Sequence, residues 1–382
     1  MSLDDILGRE LAALDAQGLR RTLRLVGSPQ GAVIDLDGRS VLNFSSNNYL
    51  GLAHHPALRV TSDQGVGAGA SRLIVGNLRA HRDLENALAA FHGTDSALLF
   101  STGYQANLGV LQALAGPDDV IHSDRLNHAS IIDGCRLSGA RVEVYAHADV
   151  DDLERRLATT PGRRRFVVTD TVFSMDGDRA PLREIRAACD RFDAYLVVDE
   201  AHATGVVGPG GRGVAADLDV RPDVHMATLG KALGTFGAYV TGSGTLVDFL
   251  ANRARSFIFT TAPPPGLARA ARAALAVAGG DEGDRLRDAL RSRIAEIRRG
   301  LADRALLAPG AGTTPIFPIL VGDERRALTA TRALLARGIY AQAIRPPTVP
   351  PGTTRLRISV MATHSPEHIA ALLAALDHDF RG

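Results

Sequence analysis

Tyr195-Leu-Val-Val-Asp-Glu-Ala-His202 has the pattern of a short apolar β-strand followed at once by polar side chains. A continuous run of apolar and aromatic residues is typical of a strand buried on both faces, as in a parallel sheet covered by helices. Asp199 stands at the carboxyl end of this strand, which is the edge where open α/β sheets bind their ligands. The stretch therefore predicts an α/β fold and a functional role for Asp199.

Short apolar runs alternate with helical patterns on both sides of this strand, from about residue 81 to residue 241. This alternation predicts a mostly parallel sheet covered by helices. We expect seven strands, at residues 97–100, 120–122, 142–145, 166–169, 195–198, 224–228 and 238–241. Helices are predicted between them, for example over residues 82–91 and 181–192.

The predicted organisation has three parts: an N-terminal arm over residues 1–50, a large α/β domain over 51–270 and a small α+β domain over 271–382. The arm combines an amphipathic helix with a hairpin that turns at Asp37-Gly38. A helical stretch over about 267–307 leads to strands at 316–321, 340–344 and 355–360 and helices at 325–336 and 366–376.

The composition argues against several classes of partner. The net charge is +1, with 43 basic and 42 acidic side chains, so no overall field attracts nucleic acid or an anionic membrane. The first 20 residues mix charges into their apolar pattern, unlike a secretory signal, and no apolar run reaches membrane-spanning length. Cys135 and Cys189 lack metal-ligand spacing and are too few for a disulfide framework. We expect a cytoplasmic protein with no nucleic-acid partner, no membrane partner and no bound metal.

Lys231 is the only lysine in the chain. A lysine amine can lose its proton near neutral pH and act as a nucleophile, whereas a guanidinium stays charged. The alternative is a compositional drift towards arginine that left one surface lysine unchanged. Asp199 and Lys231 both follow apolar strands, and this pair suits pyridoxal phosphate, whose aldehyde forms a Schiff base with lysine while an aspartate keeps the ring nitrogen protonated. A purely structural salt bridge is the alternative for the pair.

A phosphate needs further donors, and Phe100-Ser-Thr-Gly-Tyr-Gln-Ala-Asn107 combines a strand end, a glycine turn and a helix start. Backbone amides at a helix start bind phosphate well. Gly103 and Tyr104 are the expected amide donors, and Thr228 is a candidate hydroxyl donor. His128 is a candidate to stack on the cofactor ring, although an isolated histidine is more often a helix cap or a core residue.

Asp-Glu-Ala-His also occurs in nucleotide-driven helicases, a different functional class. A helicase needs a phosphate-binding G-x-x-x-x-G-K-[ST] loop. The only Gly-Lys pair is Gly230-Lys231; Ala232 follows it, and His225 stands where the first glycine is required. The sequence therefore favours the cofactor hypothesis.

Five motifs together resemble the α-oxoamine synthases, pyridoxal-phosphate enzymes that condense an amino acid with an acyl thioester and release carbon dioxide. The motifs are Ser45-Ser-Asn-Asn-Tyr-Leu-Gly51, Asn127-His-Ala-Ser130, Val172-Phe-Ser-Met-Asp-Gly-Asp178, Val198-Asp-Glu-Ala-His-Ala-Thr-Gly205 and Thr228-Leu-Gly-Lys231. The resemblance runs from about residue 20 to the C-terminus. It implies a fold-type I pyridoxal-phosphate enzyme, with a mostly parallel seven-stranded sheet and a smaller C-terminal α+β domain.

The resemblance implies a role for each matching position around the cofactor. Lys231, Asp199 and His128 would be catalytic: Lys231 binds the cofactor and acts as a base, Asp199 pairs with the ring nitrogen, and His128 stacks on the ring. The other cofactor contacts would be His202 and Ser174 near the ring hydroxyl, Thr228, Gly103 and Tyr104 at the phosphate, and Thr260 and Thr261 at the partner subunit's phosphate in a homodimer with shared active sites.

The resemblance also implies the substrates. Asn47 and Arg357 would hold the amino-acid carboxylate, Arg21 and Thr348 would meet the acyl substrate, and His128 would border both. Pro346-Pro347 before Thr348 is similar to the family member of biotin biosynthesis that uses L-alanine and pimeloyl-CoA or a pimeloyl carrier protein. Members that use glycine and another acyl-CoA are the alternative, and an aminotransferase is a more distant one.

Overall fold

The structure is a computed structural model that describes residues 1–59 and 63–380 of the chain. The strands are β1 (Val33–Leu36), β2 (Arg39–Asn43), β3 (Ser96–Phe100), β4 (Val120–Asp124), β5 (Arg141–Tyr145), β6 (Arg165–Asp170), β7 (Tyr195–Asp199), β8 (Val224–Thr228), β9 (Ala238–Gly242), β10 (Ile316–Gly322), β11 (Ile339–Tyr340), β12 (Gln342–Ile344) and β13 (Thr354–Ser359).

The α-helices are α1 (Leu3–Ala16), α2 (Arg79–His92), α3 (Gly103–Leu114), α4 (Ala129–Ser138), α5 (Val150–Thr159), α6 (Leu182–Arg191), α7 (Val214–Asp217), α8 (Gly244–Arg253), α9 (Arg255–Ile258), α10 (Pro265–Gly279), α11 (Asp281–Ala302), α12 (Glu324–Ala336) and α13 (Pro366–Phe380). Short 3₁₀ turns lie at Leu52–His54, Pro56–Leu58 and Pro209–Gly211, and a π-helical turn lies at Arg72–Gly76. Among the described residues, no helix is both long and apolar enough to cross a lipid bilayer.

The chain divides into two compact units. The larger unit comprises Leu52–Ser174 and Arg179–Arg287, and the smaller comprises Met1–Gly51, Met175–Asp178 and Asp288–Gly382. The residues of the predicted arm therefore fall in the same unit as the C-terminal residues. The division into an arm and two domains, with a boundary near residue 270, remains a prediction from the sequence.

The larger unit is built on a seven-stranded sheet with the order β3-β9-β8-β7-β6-β4-β5. Strands β8, β7, β6, β4 and β5 run parallel, and β9 runs antiparallel to both β8 and β3. All seven predicted strands are confirmed, and so is the mostly parallel sheet.

Apolar residues hold this sheet against helices, and aspartates end three of its parallel strands. Residues on β3, β4, β6 and β8 form one buried cluster with residues of α3, α4, α8 and α9. Asp124, Asp170 and Asp199 are the last residues of β4, β6 and β7, and Asp170 is the register partner of Asp199. The fold thus aligns aspartates at the carboxyl ends of parallel strands, where ligands bind in such sheets.

The smaller unit contains two three-stranded sheets, β1-β2-β11 and β10-β13-β12. The predicted hairpin of β1 and β2 is confirmed, and Asp37 and Gly38 turn the chain with φ of 53° and 80°. Positive φ at both central residues suits the twist of a two-residue hairpin.

One strand prediction in this unit is wrong. Residues 340–344 do not form a single strand, because β11 pairs with β2 whereas β12 pairs with β13. Ser45 lies at the break: its hydroxyl donates to the Tyr340 carbonyl (3.3 Å) and accepts from the Gln342 amide (3.0 Å). The side chain takes over backbone hydrogen bonds that one strand would need, so the chain passes from one sheet to the other at Ala341.

Candidate active site

Asp199 is the centre of a polar cluster at the carboxyl edge of the seven-stranded sheet, and it is only 4% exposed. The Ala201 amide donates to its Oδ1 (2.8 Å), and Nδ2 of Asn107, on α3, donates to its Oδ2 (2.8 Å). A buried carboxylate requires such donors because it has lost its water. Asn107 has no role in the sequence-based prediction.

His128 is the N-cap of α4, and its side chain is nevertheless exposed. Its Nδ1 lies 2.8 Å from Oγ of Ser130 and accepts from the Ser130 amide (3.3 Å). The helix-cap interpretation is therefore correct, but it leaves the ring accessible for stacking. The surrounding protein removes enough water to lower the pKa of His128; the charge of Asp199 opposes this effect and that of Lys231 adds to it.

Asp170 belongs to the same cluster, although the sequence indicates no role for it. It is 3% exposed, and its Oδ2 accepts from the His128 amide (2.7 Å). Burial and the nearby charge of Asp199 raise its pKa well above the ordinary value, against the opposing effects of the His128 amide and Lys231. Two adjacent carboxylates cannot both ionise cheaply in a dry environment, and the raised pKa of Asp170 favours its protonated form.

Lys231 follows β8 in a turn in which the Gly234 amide donates to the Lys231 carbonyl (2.9 Å). Lys231 is half-buried. Its positive charge adds to the lowering of the His128 pKa and opposes the raising of the Asp170 pKa. The structure therefore brings the three predicted catalytic residues, Lys231, Asp199 and His128, into one electrostatic cluster.

The start of α3 offers backbone amides to a phosphate. Gly103 and Tyr104 are its first two residues, and the Thr102 hydroxyl accepts from the Gln105 amide (3.2 Å). Amides in the first turn of a helix have no acceptor within the helix, and they bind anions readily. The Tyr104 hydroxyl itself donates to Asp133, which raises the pKa of Tyr104.

The contact of Thr228 with phosphate stays a prediction. Its hydroxyl donates to the Gly237 carbonyl (3.0 Å) and accepts from the Gly230 amide (3.2 Å). A hydroxyl has one proton, so Thr228 would have to release Gly237 before it could donate to a phosphate.

Four further predicted contacts also lie in the larger unit. His202 is buried three residues after Asp199, and Ser174 is half-buried. Thr260 is half-buried, whereas Thr261 is exposed and forms a β-bridge with Ser71. The roles of these four residues stay predictions.

The smaller unit brings Asn47 and Arg357 together. Arg357, on β13, is 6% exposed and donates from Nη1 to Oδ1 of Asn47 (3.1 Å) and to Oγ of Ser359 (2.7 Å). Its Nη2 donates to the Tyr49 hydroxyl (3.3 Å), and that hydroxyl donates to Oδ1 of Asn47 (3.1 Å). Burial raises the pKa of Tyr49, and the charge of Arg357 opposes this. Tyr49 lies inside the motif Ser45–Gly51 but has no predicted role.

Arg21 and Thr348 line a groove of about 680 Å³ in the smaller unit. Five arginines line it, namely Arg20, Arg21, Arg24, Arg332 and Arg345, and apolar side chains such as Ile34, Leu36 and Leu328 form part of its wall. None of the described lining residues is acidic, although Arg24 pairs with the nearby Asp37. Arg345 is 5% exposed and donates to the Gly18 carbonyl; burial and the charge of Arg21 lower its pKa. The groove suits a ligand with both anionic and apolar parts.

The residues of the larger unit fit pyridoxal phosphate. The hydrogen-bonded Asp199 carboxylate can accept from a protonated ring nitrogen, the exposed His128 offers an aromatic face, and the start of α3 offers backbone amides to a phosphate. Lys231 supplies the amine that this cofactor requires. Among the described residues, no group of three or more His, Cys, Asp or Glu side chains is arranged to hold a metal ion.

The chain is similar to known proteins over most of its length. Residues 39–376 match the family model described as aminotransferase class I and II. The 8-amino-7-oxononanoate synthase of Anaeromyxobacter dehalogenans is 51% identical, over 97% of this chain and 94% of that protein. The protein of the same name from Geobacter sulfurreducens is 50% identical, over 96% of each chain.

Solved structures of pyridoxal-phosphate enzymes have a similar fold. A serine palmitoyltransferase from S. paucimobilis, with a bound PLP–myriocin aldimine, has a TM-score of 0.92 and 30% identity over 100% of this chain and 99% of that one. An 8-amino-7-oxononanoate synthase from Francisella tularensis has a TM-score of 0.77 and 27% identity over 89% of this chain and 98% of that one. The fold class predicted from the sequence is confirmed.

Proposed function

The chain belongs to the aminotransferase class I and II family, and we propose that it is an 8-amino-7-oxononanoate synthase of biotin biosynthesis. This enzyme condenses L-alanine with a pimeloyl thioester and releases the thiol and carbon dioxide. The observation that carries the proposal is the identity of about half of all residues, over nearly the whole chain, with proteins of that name. The cluster of Lys231, Asp199 and His128 supplies the chemistry that the reaction requires.

The protein is a pyridoxal-phosphate-dependent acyltransferase. When bound, the cofactor withdraws electrons from the α-carbon of the amino acid through its protonated ring. The Asp199 carboxylate keeps that proton in place, the His128 ring covers one face, and the amides of Gly103 and Tyr104 bind the phosphate. Lys231 would hold the cofactor through its amine, and its Nζ would accept the α-proton of alanine.

Arg357 and Asn47 hold the alanine carboxylate in this proposal. The guanidinium presents donors in a fork that matches a carboxylate, and burial strengthens the contact by excluding water. Ser359 and Tyr49 fix the side chain of Arg357 by hydrogen bonds. Arg357 therefore meets its substrate in a preset conformation.

The arginine-lined groove around Arg21 and Thr348 receives the acyl substrate. A pimeloyl group has an apolar methylene chain and a far carboxylate, and its carrier, coenzyme A or a carrier protein, adds phosphate. The apolar wall of the groove suits the methylene chain, and its guanidinium groups suit the anions. The substrate thus matches the two chemical characters of the groove.

We also propose a cytoplasmic homodimer with shared active sites, in which Thr260 and Thr261 reach the partner subunit's phosphate. Exposed apolar side chains lie near these threonines: Ile74, Val75 and Phe259 are 75%, 71% and 71% exposed. Exposed apolar patches of this kind mark surfaces that another chain covers.

A thiol-release assay tests the proposal. Purified enzyme loaded with pyridoxal phosphate should release free thiol from pimeloyl-CoA only when L-alanine is present, and the product should have the mass of 8-amino-7-oxononanoate. Release with glycine and a shorter acyl-CoA, together with none from alanine and pimeloyl-CoA, would assign the chain to a glycine-using relative.

A further inference from the structure

Asn107 connects two of the cofactor-site residues through one side-chain amide. Its Nδ2 donates one hydrogen to Oδ2 of Asp199 (2.8 Å) and the other to Oγ of Ser130 (2.9 Å). The orientation of the amide is fixed chemically, because an ionised carboxylate can only accept and so must face the NH₂ group. Asn107 and Ser130 are 4% and 1% exposed, so water does not compete for these bonds.

The hydrogen bond from Asn107 also determines the direction of the Ser130 hydroxyl group, which faces His128. Its hydroxyl accepts from Asn107 and therefore directs its own hydrogen to Nδ1 of His128, 2.8 Å away. The Ser130 amide points at the same nitrogen from 3.3 Å. Since Nδ1 accepts from two donors, the ring hydrogen of a neutral His128 is on Nε2. Protonation of Nδ1 would bring two N–H groups against each other.

We propose that Asn107 and Ser130 are positioning residues that set the direction of the Asp199 carboxylate and the tautomer of His128 together. We call this connection the Asn107–Ser130 link. The proposal rests on the proposed function, because Asp199 and His128 act on pyridoxal phosphate there. It adds that the ring-nitrogen partner and the stacking residue are held by one hydrogen-bonded chain and do not move independently.

The groups that face His128 come from three different elements of the fold. Asp199 from β7 favours a charged imidazole, whereas Lys231 after β8 opposes it; the Asp170 carboxyl group from β6 accepts the His128 backbone amide. Burial lowers the pKa of His128 and so favours the neutral ring, and the two donors at Nδ1 hold that neutral ring in one tautomer. A charged ring is a poor stacking surface for a protonated pyridine, because the two positive charges repel each other. The Asn107–Ser130 link keeps Asp199 available to the cofactor.

Ser130→Ala is the main test, because it removes a hydroxyl and leaves the helix backbone intact. Ser138→Ala is the matched control on the same helix, where the hydroxyl donates to the Cys135 carbonyl (2.7 Å). Titration of the cofactor-free protein with pyridoxal phosphate should give a dissociation constant raised about two- to tenfold by Ser130→Ala and unchanged by Ser138→Ala. The pH midpoint of the visible absorbance should also move in Ser130→Ala alone. An unchanged constant and midpoint in Ser130→Ala would overturn the proposal.

A double-mutant cycle separates positioning from general structural support. In a His128→Phe background, which keeps an aromatic ring but has no Nδ1, Ser130→Ala should change the dissociation constant less than in the parent protein, because only its effect on Asp199 through Asn107 remains. An equal change in both backgrounds would show that Ser130 does not act through His128. Asn107→Leu should in turn weaken binding in the parent protein but not in Asp199→Asn, and thermal unfolding identifies any variant that fails to fold.

These measurements are independent of the substrate assignment. If the parent protein binds pyridoxal phosphate but uses glycine in place of alanine, the proposed function fails and the Asn107–Ser130 link is still tested by the cofactor titration. If Ser130→Ala behaves like Ser138→Ala while alanine and pimeloyl-CoA release thiol, the link fails and the proposed function stands.

Discussion

Glu200 and His225 form a buried hydrogen bond beside the cofactor site, with Oε2 and Nε2 separated by 2.9 Å and side-chain exposures of 0% and 7%. The other carboxylate oxygen of Glu200 accepts from the Ala215 amide (2.8 Å). Glu200 follows Asp199 directly in the chain, so this pair fixes the backbone next to Asp199.

Replacement of His225 should therefore destabilise the protein. His225→Phe leaves the Glu200 carboxylate buried without its side-chain donor, and such losses cost about 3–5 kcal/mol. Glu200→Gln keeps a carbonyl oxygen as an acceptor and should cost only about 1–2 kcal/mol. Urea unfolding followed by circular dichroism measures both values. Equal stability of His225→Phe and the parent protein would contradict the importance of this pair.

A second prediction concerns the pH dependence of stability. His122 on β4 is fully buried, and in the described structure neither ring nitrogen has a hydrogen-bond partner. Burial lowers its pKa from 6.5 to about 4. Between pH 6.5 and about pH 4, His122 is therefore protonated in the unfolded chain but neutral in the folded chain. The free energy of unfolding consequently decreases as the pH falls through this range. The loss from this residue amounts to about 2–3 kcal/mol.

His122→Leu should remove this part of the acid sensitivity. The melting temperature of the variant minus that of the parent protein, measured between pH 7 and pH 4, should increase as the pH decreases. His364 keeps its own contribution, because burial also lowers its pKa to about 4. Parallel curves for the two proteins would show that His122 does not titrate in this range.

The lone lysine gives a prediction about covalent attachment. Lys231→Ala and Lys231→Arg should both lose the visible absorbance of bound cofactor and reduce thiol release by on the order of a hundredfold or more, because neither side chain offers a deprotonated amine. Borohydride reduction of the parent protein should place the cofactor on a single peptide that contains Lys231. Label on the N-terminal amine would count against this assignment.

The arginine-lined groove predicts an effect confined to the acyl substrate. Arg21 donates from Nη2 to the Pro346 carbonyl (3.1 Å), and Arg21→Gln removes one charge from the groove. The KM for the pimeloyl thioester should rise about tenfold, since a charged hydrogen bond to an anion is lost, while the KM for alanine stays the same. Arg39→Gln, on the exposed hairpin, is the control. A rise in the KM for alanine alone would assign Arg21 to a different substrate.

Apolar periodicity was sufficient to predict the strands of the large sheet, but not the direction of β9. Its position could have revealed the direction: the connection from Thr228 to Ala238 is shorter than the dozen or so residues that a parallel crossover needs. The sequence was sufficient to predict that Asp199 and Lys231 follow parallel strands at the same edge of the sheet, and their roles stay predictions. Each of these residues lies in a short motif that can be identified in the sequence, whereas some of the residues around it lie far away in the chain.

The residues that sequence analysis did not find act over long separations. Asn107 and Asp199 are 92 positions apart, and no local pattern indicates that an amide on one helix meets a carboxylate on a distant strand. The arginine run at 163–165 gives a similar example. The side chain of Arg163 is 59% exposed, yet Arg163 and Arg164 both bind the buried Asp119. Burial makes that carboxylate costly without partners, and its position is set by the fold.

The Ser45 hydroxyl connects the two sheets of the smaller unit. It holds the chain on both sides of Ala341, so the two sheets that β11 and β12 extend cannot slide past each other without breaking its bonds. Arg357 lies in one of these sheets, and Asn47 follows the other by only a few residues. A shear between the sheets would pull the guanidinium from the amide it now contacts at 3.1 Å. The two hydrogen bonds of Ser45 thus preserve the spacing of Arg357 and Asn47 against relative movement of the two sheets.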